Sequence, residues 1–189
     1  MGEAVIVGED TFTKPSPWCP EPRYWHCEDN GGATENEVIE LAAAFIRALQ
    51  PEIVAETGSY TGAASVAFGI ALARNGHGML HTIELDPDLA ARTRERCAGL
   101  PVTVITGSAL DWDPPEGIGF AWVDGSWDRD AERDRLLPRM RPGAIAGIHD
   151  TAPHHYGWNG YFRNQARYAG ILAPVTLRTP RGVTFAQVL

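Results

Sequence analysis

The sequence predicts an α/β fold: a doubly wound sheet, mostly parallel, that ends in an antiparallel C-terminal hairpin strand. Three observations predict it. Short β-branched apolar runs alternate with segments of helical spacing from Ile53 to Ile148. Each run stops at residues that carry chemistry: Glu56, Glu84, Gly107-Ser108, Asp124 and His149-Asp150. The last run pair, Val175–Arg178 and Val183–Val188 about Pro180-Arg181-Gly182, reads as a hairpin. In an open parallel sheet the strand ends share one edge, and ligands bind there.

Residues 1–33 read as an N-terminal arm, partly irregular, with a short edge strand at Glu3–Val7 and four prolines in Thr13–Pro22. Residues 34–189 read as one domain. Thr34 and Glu37 form a capping box for a helix carrying Val38, Leu41, Ala42, Phe45, Ile46 and Leu49. Pro51 stops that helix at Gln50. Ile53–Ala55 is the first central strand, and Ala63–Ala73 a small-residue helix closed by Asn75-Gly76. Met79–Ile83 follows as a strand. Asp86 caps the next helix, Asp88–Ala98, with Pro87 in its first turn. Val102–Ile105, Gly119–Val123 and Ala144–Ile148 are the remaining parallel strands, with a charged helix at Arg129–Met140 and a turn at Arg141-Pro142-Gly143. Tyr161–Tyr168 is expected to be helical.

A chain of 189 residues suffices for one well-filled domain and not for two ordinary ones. The net charge of −8 argues against a broad basic face for nucleic acid. No apolar run reaches the length of a membrane span, and Met1–Asp10 lacks the pattern of a signal peptide. The cysteines Cys19, Cys27 and Cys97 are odd in number and have no metal-binding spacing, so reduced thiols in a cytoplasmic protein are expected. A homo-oligomer is left open.

The turn Glu56-Thr57-Gly58-Ser59-Tyr60-Thr61-Gly62 lacks the third glycine of a dinucleotide site. Glu84 lies at the distance beyond it that suits an acid bonding both hydroxyls of a ribose. A carboxylate at Glu56 would repel a pyrophosphate and favour a cationic ligand. The balance moves from NAD to a cationic nucleoside such as S-adenosylmethionine.

Ile53–Gly62, together with Thr82-Ile83-Glu84-Leu85-Asp86-Pro87 and Trp122-Val123-Asp124-Gly125, resembles class I S-adenosylmethionine-dependent methyltransferases. The likeness is closer to the small-molecule O-methyltransferases of the catechol O-methyltransferase and antibiotic-tailoring type. It covers about Thr34 to Asp150 and extends to the C-terminal hairpin, which suits the family's antiparallel last strand. It implies a Rossmann-like fold and a donor pocket made of Glu56, Gly58, Ser59, Tyr60, Gly62 and Glu84, with Gly107, Ser108 and Ala109 along the adenine and Asp124 beside the donor. It also implies methyl transfer to a small-molecule acceptor, at a hydroxyl oxygen.

In metal-dependent members the positions of Asp124 and Asp150 bind a divalent cation, so Mg²⁺ assistance is one reading, with Thr151 where such members carry Asn or an acid. No lysine stands near Asp124 to act as a base. His149, His154 and His155 are the candidates, with Asp124 in the catalytic group. The loop bearing His154, His155, Tyr156, Trp158 and Tyr161 reads either as a substrate lid or as an adaptable surface loop, with Trp25 and His26 on the other side. The alternatives are a metal-independent N-methyltransferase and a non-catalytic nucleoside-binding protein.

Overall fold

Among the described residues, seven strands form a single sheet in the order β3-β2-β1-β4-β5-β7-β6. They are β1 (Ile53–Thr57), β2 (Met79–Glu84), β3 (Val102–Thr106), β4 (Ile118–Val123), β5 (Met140–His149), β6 (Leu172–Leu177) and β7 (Val183–Val188). The computed structural model describes residues 15–28, 33–126, 128–152 and 172–189. The expected edge strand at Glu3–Val7, the helix at Tyr161–Tyr168 and the loop bearing His154 and His155 lie outside these residues. β1 to β5 run parallel, whereas β7 is antiparallel to both β5 and β6.

The helices are α1 (Asn36–Leu49), α2 (Ala63–Asn75), α3 (Pro87–Arg96) and α4 (Arg129–Leu136). Side chains alternate across each strand. On one face Val54, Leu80, Phe120, Trp122 and Phe185 meet Val38, Ile46, Phe68 and Leu72 of α1 and α2. On the other face Ala55, Ile83, Ala121, Val123 and Ile148 pack with Leu136 of α4. β4 is buried along its whole length, as befits a strand covered on both faces.

Asp86 caps α3 as expected, accepting from the backbone N–H of Asp88 and of Leu89. The expected capping box of α1 does not form. Glu35 is the N-cap and makes no side-chain cap bond. Thr34 instead donates to Asp124, and Glu37 accepts from the His26 backbone N–H. The charged helix is also shorter than expected. It gives way to a 3₁₀ turn at Leu137–Arg139, and β5 starts at Met140. The expected turn at residues 141–143 becomes a register shift within β5, between the pairs Ile118–Met140 and Phe120–Ile145. Pro174 falls in β6, the outermost strand, where a missing N–H is tolerated.

The strand order reverses between β1 and β4, which opens a crevice at their carboxyl ends. Gly58 begins the turn above it with φ +75°, and a Cβ there would stand 2.3 Å from the Gly125 Cα. Only glycine lets the two chain segments close to this distance. Glu132 of α4 ties them together: its Oε2 accepts from Thr57 Oγ1 at 2.8 Å and from the Gly125 N–H at 3.1 Å.

Phe120 is fully buried in the central strand, between the rings of Phe45 and Phe68. Phe120→Ala should therefore lower the unfolding free energy by about 3–5 kcal/mol, read from urea denaturation.

Candidate functional site

The crevice holds a cavity of about 450 Å³, within the range of small-ligand sites. The end at the turn is lined by Ser59, Tyr60 and Glu84, the end at β4 and β5 by Trp122, Asp124, Arg129 and Asp150, and Gly58 abuts Asp124 where the two meet. At the first end the turn bends around a carboxylate. Glu84 Oε2 accepts from the Tyr60 N–H at 2.8 Å, and Oε1 accepts from the Asp86 N–H at 3.0 Å. Each oxygen keeps acceptor capacity for a ligand hydroxyl. Ser59 and Gly62 anchor the turn on α3: Ser59 Oγ lies 3.0 Å from Thr93 Oγ1, and the φ of +83° at Gly62 presses it against Thr93. From the arm, Glu28 pairs with Arg96, whose Nη1 donates to the Thr61 carbonyl at 2.7 Å.

The other end is a chain of buried charges. One Nη of Arg129 donates to Asp124 Oδ1 at 2.8 Å and to Asp150 Oδ2 at 2.9 Å. Arg181 forks onto the second carboxylate, Nε to Oδ1 at 2.5 Å and Nη2 to Oδ2 at 2.8 Å. His149 is completely buried, with Nδ1 at 3.3 Å from Asp124 and Nε2 at 2.6 Å from Glu35. Glu35, equally buried, also accepts from the Arg181 backbone N–H at 3.0 Å. The hairpin turn can deliver Arg181 because Gly182, at φ +79°, lies flat against Ala152, where a Cβ would stand 2.3 Å from the Ala152 nitrogen.

Two groups in these surroundings titrate far from their ordinary values. Burial opposes the His149 imidazolium, but the charges of Asp124, Asp150 and Glu35 outweigh it and push the pKa up to about 10. Burial raises the Glu56 carboxyl to about 7, helped by Asp124 and Glu84 and opposed by the Ser65 hydroxyl, which donates at 2.5 Å.

The expected site residues divide accordingly. Gly58, Ser59, Tyr60, Glu84, Asp124 and Asp150 line the cavity. Gly62 supports the turn from behind. Glu56 does not line it: the carboxylate is fully buried beneath the turn, so its charge is not presented to a ligand. Gly107, Ser108 and Ala109 also stand away from the wall. The Gly107 N–H continues the β2–β3 ladder to the Glu84 carbonyl, Ser108 accepts from the Leu110 N–H, and Ala109 packs on the core. Thr151 is buried, and its hydroxyl accepts from Thr184 Oγ1 at 3.1 Å. His149 is not poised as a base: both ring nitrogens face carboxylates, and its raised pKa keeps the proton on. His154 lies outside the described residues. Trp25 packs against the core from the arm, and His26 Nδ1 lies 2.5 Å from Glu37.

Four participants escaped the sequence reading: Thr34, Glu35, Arg129 and Arg181. Arg129 sits in a charged helix and Arg181 in a turn, where arginine is ordinary. Their one distinguishing feature is the Asp150 carboxylate that both meet, 21 and 31 residues away in the chain.

A family model described as a methyltransferase domain matches residues 55–151, more than half of the chain. No curated protein matches. Among solved structures, the O-methyltransferase TomG of Streptomyces achromogenes, involved in tomaymycin synthesis and in complex with S-adenosylmethionine, is similar at 24% identity. Its TM-score is 0.68, and the likeness covers 82% of this chain and 81% of that one. An O-methyltransferase of Bacillus cereus in complex with S-adenosylhomocysteine is similar at 18% identity and a TM-score of 0.71, covering 82% of each chain. The S-adenosylhomocysteine-bound methyltransferase PaMTH1 of Podospora anserina is similar at 16% identity and a TM-score of 0.67, covering 82% of this chain and 80% of that one.

Substituting His149 tests the charge chain. A folded-state pKa raised from 6.5 to about 10 contributes stability that is complete below pH 6.5 and is lost as the pH rises through 10. His149→Gln should destabilise the protein by about 3–5 kcal/mol near pH 6, since Glu35 and Asp124 then lose a buried partner. In urea titrations across this window, the gap to the wild type should narrow towards pH 10.

Proposed function

Given that this chain belongs to the methyltransferase-domain family, we propose that it transfers the methyl group of S-adenosylmethionine to a hydroxyl oxygen of a small-molecule acceptor. The observation that carries this reading is the two-ended cavity. Glu84 offers both carboxylate oxygens at one end, already held in place by Tyr60 and Asp86, and the two hydroxyls of a ribose are suited to donate to them. Gly58 and Ser59 form the adjoining wall, along which the donor lies. The acceptor occupies the end beside Asp124, Ser126 and Arg129.

Methyl transfer is an in-line displacement, and the chain contributes mainly alignment. The acceptor oxygen forms the new bond to the methyl carbon. The carbon–sulfur bond breaks, and its electron pair stays on sulfur, which becomes a neutral thioether. The hydroxyl proton passes to the Asp124 carboxylate, which lines that end together with Asp150. Trp122, at the same end, gives the wall an apolar stretch.

The residues that the sequence likeness assigns to Mg²⁺ do not fit such an ion well. Asp124, His149 and Asp150 do approach one another, with one donor atom each within 4.8 Å. However, Arg129 and Arg181 already bond the two carboxylates, Glu35 and Asp124 face the imidazole nitrogens, and the Thr151 hydroxyl is bonded to Thr184. Alignment and proton transfer therefore carry the proposed reaction.

Calorimetric titration tests the donor assignment. S-adenosylmethionine should bind and NAD should not, and Glu84→Gln should weaken binding by about one to two orders of magnitude, the worth of charged hydrogen bonds. Tight NAD binding without S-adenosylmethionine binding would overturn the assignment.

A further inference from the structure

We propose that Arg129 is a resident cation, which takes the place between Asp124 and Asp150 that a divalent metal would need and so makes this site metal-free. The proposal rests on the methyltransferase reading for the use of the site, but its structural content can be tested alone.

Three donor-bearing side chains at the ends of β4 and β5 lie within 4.8 Å of one another, close enough to chelate one ion. Two carboxylates so placed would repel each other in a desolvated crevice. A positive charge must hold them together, and the chain supplies it. Arg129 is the first residue of α4. Its Nη2 bonds both carboxylates and its Nη1 bonds the Ser126 carbonyl, so three of a guanidinium's five N–H donors are directed. Glu132, one turn further along α4, is bonded to Thr57 and to Gly125. The start of the helix is thereby pinned to the strand ends, and Arg129 is delivered to a set position.

Arg181 holds Asp150 from the other side with a forked pair of bonds. Two guanidiniums thus match Asp124 and Asp150 one for one, and a divalent ion would meet no surplus negative charge on this pair. Its ligands would also have to be stripped from arginine, whose planar fork suits carboxylates and stays charged at any working pH. The Arg129 side chain is 14% exposed, at the cavity wall, so the charge stays accessible to whatever binds there.

The test uses Mn²⁺ as the probe, because its binding can be read by electron paramagnetic resonance without knowing the acceptor. The full chain is freed of metal with a chelator and titrated with Mn²⁺, with and without S-adenosylmethionine. The wild type should bind no stoichiometric Mn²⁺. Arg129→Ala should bind one Mn²⁺ at least about tenfold more tightly than the wild type, since Asp124 loses its guanidinium and Asp150 is left with Arg181 alone. Arg129→Lys keeps a positive charge there, and it should resemble the wild type. Stoichiometric Mn²⁺ on the wild type would overturn the proposal. So would an Arg129→Ala protein that retains its circular dichroism spectrum but gains no Mn²⁺. Should the alanine variant fail to fold, Arg129→Gln replaces it under the same criterion. S-adenosylmethionine binding is measured in parallel on each protein, so failure of the donor assignment appears as lost donor binding whatever Mn²⁺ does.

Discussion

Asp150 accepts from two arginines, and the rest of the site depends on that arrangement. Buried at the end of β5 with a left-handed backbone, it bonds Arg129 from α4 and Arg181 from the terminal hairpin. Through Arg129 it is coupled to Asp124, through Asp124 to His149, and through His149 to Glu35 at the head of α1. Glu35 closes the circuit on the Arg181 backbone. Segments from the start, middle and end of the chain thus meet in one set of charges. Removing a single partner strands another charge away from water, and the cost of that is greater than the worth of an exposed pair.

This circuit also governs what the crevice can do. The end near Glu84 is organised by backbone N–H groups and has acceptor capacity to spare. The end near Asp124 is organised by side-chain charges that are already matched. In the proposed reaction the first end holds the donor, and the second would meet the acceptor with a carboxylate and a guanidinium together. Glu56, the carboxylate that first suggested a cationic ligand, sits beneath the turn, where burial pushes its pKa up to about 7. The choice of donor therefore rests on Glu84 and on the family match rather than on charge at Glu56.

Legibility in the sequence followed the range of the forces involved. Asp86 as a cap, Gly76 as a helix end and the parallel strands were readable, because capping and side-chain alternation act within a few residues. Thr34 and Glu37 had the right spacing for a capping box but found stronger partners in Asp124 and His26. The residues at 141–143 had turn chemistry, yet β5 runs through them because a shifted register keeps Ile145 paired with Phe120. His149 was legible as a residue at a strand end. Its protonation was not, because that depends on how the charges of Asp124, Asp150 and Glu35 converge on a buried ring.

Local pattern was enough to establish the class of sheet, the edge where the strands end, and Glu84 and Asp124 as residues on that edge. Periodicity and turn chemistry are written in neighbouring positions, and a parallel sheet aligns its ends whatever the side chains do. Tertiary structure alone decided which charges would meet. Arg129 and Arg181 reach Asp150 only after α4 is pinned by Glu132 and the Gly182 turn closes on Ala152. Electrostatic pairing in a desolvated crevice depends on distances between remote segments, and no spacing along the chain encodes those.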